Sequence, residues 1–312
     1  MRVLLLVPLL AACAASSSLV RPNVGKEKFY EVTTPHVVLV SDMASDDSEE
    51  LGQWLEELWV SLADNYELMA PGEQRPTLPF HAIIFSSCED YKVFRPHDFT
   101  AAFVFVSLDY QQRPIIVGCR GDRENPSRLF LHELAHSFNH HFFPRVPVWL
   151  EEGLAQYYET MRIRAGKVTI GRMPLLVQAY LRSTRSGAIL VGKTGRLPTF
   201  AEIMAMTPAE FYGTAAGGGP SEHYAAAWVV VQLLNSNQQM QDRFVLYLRR
   251  LVVGQSLDEA WQAVYADVPP GTFPKEFSEY IEREDLQAWV SPYKRPESPP
   301  AKPLAGSPTN GD

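Results

Sequence analysis

Two imidazoles and a carboxylate fall within five residues in His132-Glu133-Leu134-Ala135-His136. Residues four apart on an α-helix stack on one face, so His132 and His136 present ring nitrogens to the same point in space. That pair can hold a metal ion. Glu133 lies about 100° around the helix from His132 and about 60° from His136, where its carboxylate flanks the ion and can act as a base toward a water. The chemistry this arrangement suits is hydrolysis by a metal-activated water.

The helix that must carry these residues is well signalled. Asn125-Pro126 supplies an N-cap followed by proline at the first helical position, and Pro144 stops the run. Between them Leu131, Leu134, Ala135, Phe138 and Phe142 recur at helical spacing. A second helix is expected to start at Pro147 and to carry Trp149 to Tyr158. The short turn from Pro144 to Pro147 makes the two helices close neighbours.

A catalytic zinc ion needs three protein ligands and an open position for water. His140 and His141 are nearby but badly placed. His140 lies two turns beyond His132, roughly 12 Å along the axis, too far for both to share one ion with His136. A metzincin arrangement would want glycine and histidine where this chain has Asn139 and Phe142. A carboxylate from the second helix is the better third ligand, and Glu151 and Glu152 are both on that segment.

The segment Trp149-Leu150-Glu151-Glu152-Gly153-Leu154-Ala155 resembles the Trp-Leu-Asn-Glu-Gly-Phe-Ala segment of gluzincin metallopeptidases, the peptidase MA-like group. The resemblance implies Glu152 as the third zinc ligand beside His132 and His136, and Glu133 as the general base. Further along, His223-Tyr224-Ala225-Ala226-Ala227-Trp228 is similar to the tyrosine-containing helix start of the same group. It implies that Tyr224, or failing that His223, faces the developing oxyanion. Glu151 replaces the usual asparagine, and the aminopeptidase Gly-Ala-Met-Glu-Asn signature is missing upstream. An endopeptidase acting on polypeptides is therefore expected over an exopeptidase. The implied fold is α+β and zincin-like, with a small twisted β-sheet, the metal helix after it, and a mainly helical C-terminal lobe. An extended substrate could add to a sheet edge bordering the cleft. Gln156, one turn beyond Glu152, could orient a metal ligand but is expected to face solvent.

Length and composition suit a globular chain of one large domain or two modest ones. The chain has 312 residues and a net charge of −8, with no basic cluster of the kind nucleic acid requires. The acidic run Asp46, Asp47, Glu49 and Glu50 lacks the glycine and terminal glutamate of a calcium loop and is read as first-turn helix charge after Ser45. Residues 1–12 read as a secretory signal peptide, apolar from Val3 to Leu10 and too short to span a membrane as a mature helix. Leu10-Ala11-Ala12-Cys13 resembles a bacterial lipobox, which implies lipid attachment at Cys13. Membrane association would then run through that anchor at the bacterial cell envelope, with Ala14 fitting the periplasmic side of the outer membrane. Without lipidation the protein would be secreted. Residues 13–28 read as a tether, 29–290 as the catalytic domain and 291–312 as a disordered tail rich in Pro and Ser.

Cys88 and Cys119 remain as one candidate disulfide, since both follow expected strands, Phe80 to Ser86 and Pro114 to Gly118. Further strands are expected over His36 to Val40, Ala102 to Val106 and Lys167 to Ile170, with an amphipathic helix from about Asp46 to Tyr66. Gly187-Ala188-Ile189-Leu190-Val191-Gly192-Lys193-Thr194 matches a phosphate loop letter for letter. The polar residues before it, and Gly195 with Pro198 after it, deny the strand and helix such a loop needs. No nucleotide cofactor is expected. The competing expectation is a catalytically inactive, lipid-anchored protein that keeps the zincin fold as a scaffold.

Overall fold

The computed structural model describes residues 29–70, 74–77, 79–93, 102–106, 114–120, 126–143, 146–165, 167–174, 177–181, 197–213, 221–268, 272–281, 289–292 and 302–303. Cys13, the phosphate-loop match and the glycine-rich stretch after Gly213 lie outside these residues. Among the described residues, no helix is long and apolar enough to cross a membrane.

The architecture is α+β. Strands β1 (Tyr30–Thr33), β2 (Val37–Ser41), β3 (Phe80–Phe85), β4 (Ala102–Val106), β5 (Pro114–Cys119) and β9 (Lys302–Pro303) form one mixed sheet in the order β4-β5-β3-β2-β1-β9. The central pairs β2/β3 and β3/β5 are parallel, and the outer pairs are antiparallel. Alternation along β2 sends Val37 and Leu39 into the core while Val38 and Val40 are half-buried. Helix α1 (Ser45–Met69) begins with Asp46 and Asp47 in its first turn, as the charge pattern implied, and lays Leu55, Leu58, Trp59, Leu62 and Tyr66 against the core. The short helix α2 (Cys88–Tyr91) follows β3, and a Cys88–Cys119 disulfide ties its start to the end of β5.

The metal helix α3 (Pro126–Phe142) leaves this sheet lobe and packs on α1 through Phe138, whose ring lies 5.5 Å from Trp59 and 5.1 Å from Tyr66. It turns into α4 (Val148–Glu159), capped at Pro147. A second sheet, β6-β7-β8, follows from β6 (Arg162–Arg164), β7 (Lys167–Ile170) and β8 (Trp289–Pro292). The remaining helices are α5 (Phe200–Ala205), α6 (Pro208–Tyr212), α7 (Ser221–Leu234), α8 (Gln238–Val252), α9 (Leu257–Tyr265) and α10 (Thr272–Ile281), and residues 177–181 form a further helical turn. Helix α7 is buried almost all round from Ala225 to Leu234, as befits an apolar helix at the centre of a helical lobe.

Of the C-terminal stretch 291–312, only residues 291–292 and 302–303 are among the described residues. Ser291 and Pro292 lie in β8, antiparallel to β7, and Lys302-Pro303 pairs with β1. Both segments cover sheet edges whose backbone groups need partners, and an edge strand tolerates proline because one side of it makes no ladder bonds.

Candidate metal centre

The site is built where α3 and α4 pack antiparallel. Along α3, Arg128, His132, His136 and His140 recur every four residues and face α4. Opposite them stand Glu159, Glu152 and Glu151, met in reverse order. Gly153 lets α4 approach α7, since a Cβ there would stand 2.7 Å from the backbone oxygen of Ala227 and 2.7 Å from Val231 Cγ2. Glycine follows Glu152 because no side chain fits between the two helices.

His132 Nε2 and His136 Nε2 are 3.2 Å apart. Glu152 Oε2 lies 3.7 Å from the first and 3.6 Å from the second. His132, His136 and Glu152 therefore form a group that can hold a metal ion. The circle through these three atoms has a radius of about 2.0 Å, which matches the roughly 2.0–2.2 Å bonds that zinc makes to imidazole nitrogen and carboxylate oxygen. Glu152 Oε2 is buried and accepts no hydrogen bond among the described residues. A buried carboxylate oxygen without a donor is costly, and a cation at the centre of the triangle relieves that cost. The donor set fits the ion.

Two of the three residues are hydrogen-bonded from behind. His132 Nδ1 lies 3.1 Å from Glu159 Oε2, and Arg128 clamps the other oxygen of Glu159 through Nε at 2.9 Å and a terminal nitrogen at 2.8 Å. With Nδ1–H donating to Glu159, the lone pair of His132 is left on Nε2, toward the triangle. Glu152 Oε1 accepts a hydrogen bond from the Tyr212 hydroxyl at 2.6 Å. His136 Nδ1 stands 3.4 Å from Glu151 Oε1 without hydrogen-bond alignment, so that contact is electrostatic. Glu151 also meets His140 Nε2 at 3.0 Å. Burial works to raise the Glu151 pKa, but His136 and His140 outweigh it and hold the carboxyl at about 2. Its backbone is fixed as well, because Asn139 Nδ2 donates to the Glu151 carbonyl at 3.1 Å while Tyr66 donates to Asn139 Oδ1 at 2.6 Å.

Burial also works against the protonated form of His136. The carboxylates of Glu152, Glu151 and Glu133 outweigh it and take the pKa up to about 9 in the metal-free chain. Tyr224 and Tyr212 are both pushed well above the ordinary phenol value, first by burial and then by the charge of Glu152. The charge of Glu133 acts on Tyr224 too. Glu133, Glu152 and the Tyr224 hydroxyl thus share one electrostatic environment.

Of the residues singled out from sequence, His132, His136 and Glu152 converge, while Glu133 acts by its charge on His136 and Tyr224, and Glu152 acts by its charge on Tyr224. Glu151 turns toward His136 and His140, away from the triangle. His223 Nδ1 lies 2.8 Å from the Phe211 carbonyl, joining the start of α7 to the end of α6. Gln156 corrects the solvent-facing expectation, for it is buried with only 5% of its surface exposed. Arg128, Glu159 and Tyr212 were missed. A signal for the first two existed, since Arg128 extends the His132/His136 spacing by one step and Glu159 is two turns beyond Glu152. Nothing local marks Tyr212, which comes sixty residues after the ligand it touches. No protein-family model matches this chain, and a search of curated proteins finds no match.

Proposed function

We propose that the chain is a zinc-dependent metallopeptidase of the gluzincin type, on a zincin-like fold, that cleaves polypeptides internally. The observation that carries this reading is the zinc-sized triangle of His132, His136 and Glu152 with the carboxylate of Glu133 on the helical position between the two histidines. A bound zinc ion would supply Lewis acidity, lowering the pKa of water toward 7 and polarising the scissile carbonyl. Glu133 takes the proton from the attacking water and hands it to the leaving amine. Tyr224 donates its phenolic hydrogen to the oxygen on which negative charge accumulates, in an environment already poor in water. Glu159 orients His132, Glu151 adds negative charge beside His136, and neither takes part in the bond making.

We further propose that the protein works at the bacterial cell envelope, anchored by lipid at Cys13. The Cys88–Cys119 bridge supports an oxidising compartment of that kind. The test is an unbiased peptide mixture incubated with the purified, zinc-loaded full chain and read by mass spectrometry. Internal cleavage that a chelator abolishes supports the peptidase. A zinc-loaded chain that leaves every peptide intact points to the inactive scaffold.

A further inference from the structure

Tyr212 touches the site from a part of the chain that no motif marks. Its position follows from local structure. Helix α6 opens with a capping box, in which Thr207 Oγ1 accepts from the Glu210 N–H at 3.3 Å while Glu210 accepts from the Thr207 N–H at 2.8 Å. Pro208 occupies the first turn. One turn later Phe211 is fully buried, its ring packed 5.2 Å from Tyr224 and 5.6 Å from His223, while its carbonyl is held by His223 Nδ1. Tyr212 turns to Glu152, and Gly213 at φ +71° takes the chain away through a backbone conformation that a side chain would strain.

A carboxylate offers two oxygens to an ion, and here they are made unequal. Oε1 is occupied by the Tyr212 hydroxyl at 2.6 Å, whereas Oε2 is left bare toward the two imidazoles. We infer that Tyr212 is a positioning residue for the metal: its hydroxyl holds Glu152 in a single orientation, making Oε2 the ligating atom and Glu152 a one-oxygen ligand. This inference rests on the zinc site proposed above. Without that hydroxyl, Oε1 loses its hydrogen-bond donor and the carboxylate loses the bond that makes its two oxygens unequal. Groups that orient metal ligands in this way typically contribute 10–100-fold in affinity.

The experiment measures zinc affinity of the full chain by competition with a chromophoric chelator, for the parent and for Tyr212→Phe, alongside the melting temperature of each metal-free protein. The expected result is a 10–100-fold weaker zinc affinity in Tyr212→Phe, with metal-free melting close to the parent. The visible spectrum of the cobalt-substituted protein should shift as well, because the carboxylate no longer binds through one fixed oxygen. A parent that binds zinc while Tyr212→Phe binds it equally well, with an unchanged cobalt spectrum, overturns the role of Tyr212 and leaves the zinc site intact. A parent that binds no zinc overturns the site itself. Should Tyr212→Phe fail to fold, Thr207→Ala loosens the start of α6 and keeps the hydroxyl. Weaker zinc binding in that variant supports the inference, and parental affinity counts against it.

Discussion

Glu159 Oε2 lies 3.1 Å from His132 Nδ1, on the edge of the imidazole turned away from Glu152. In the proposed zinc site, a ring held in this way has one tautomer and one direction, so Glu159 would contribute to metal binding without approaching the metal. Glu159→Gln keeps the size of the side chain but removes the charge that Arg128 and His132 both use. Zinc affinity is expected to fall about 10–100-fold. Chelator competition on the metal-free protein checks this, and parental affinity would place the orientation of His132 elsewhere.

The glycine after the third ligand allows a stability prediction. A methyl group at Gly153 would meet the Ala227 carbonyl oxygen, a backbone atom that can retreat only if α4 and α7 separate. Gly153→Ala is expected to destabilise the protein by about 1–3 kcal/mol, the usual cost of overpacking a close-packed core. Denaturant unfolding measures it. Because Glu152 is the preceding residue, zinc affinity should fall in the same variant.

Both findings show what the sequence could and could not disclose. His132 and His136 were legible because a fixed number of residues per turn puts them on one face of a helix, whereas spacing left Glu151 and Glu152 both open and only the resemblance of Trp149 to Ala155 to the gluzincin segment implied Glu152. The bounds of β4 and the disulfide partners were legible for a similar reason, since short apolar runs and cysteine placement are local signals. Glu159 needed knowledge of how α3 crosses α4. Tyr212 needed the packing of α6 on α7. Strand β1 escaped notice because its pattern is short and half-polar, and it is a strand by virtue of β2 and β9 on either side. The pairing of Lys302-Pro303 is likewise a property of the exposed edge it meets.

Metal binding should depend on pH in a stated direction. His136 is raised from its ordinary 6.5 to about 9 in the metal-free chain, with the carboxylates of Glu152, Glu151 and Glu133 outweighing the effect of burial. A raised folded-state pKa adds stability below 6.5 and loses that stability as the pH rises through about 9. An ion needs the neutral ring, so zinc must displace that proton, and its affinity is expected to fall roughly tenfold for each pH unit below that value. The rise in melting temperature on adding chelator-buffered zinc should therefore be larger near pH 9 than near pH 6.5. A shift independent of pH across that window would contradict the protonation of His136.

Tyr224 separates chemistry from packing. Tyr224→Phe retains the ring that packs on Phe211 and removes only the hydroxyl. If that hydroxyl steadies the oxyanion, turnover falls about a hundredfold while melting temperature and zinc content stay near the parent. A structural tyrosine gives the reverse, a modest loss of stability with turnover intact.

The most direct test measures zinc content and peptide turnover on the same preparations of the parent and Glu133→Gln. Glu133 stands on the metal helix between the two histidines, and the substitution removes the base while leaving His132, His136 and Glu152 untouched. The expected result is about one zinc per chain in both proteins, with hydrolysis in the parent and none in Glu133→Gln. Parental turnover in zinc-loaded Glu133→Gln would contradict the account.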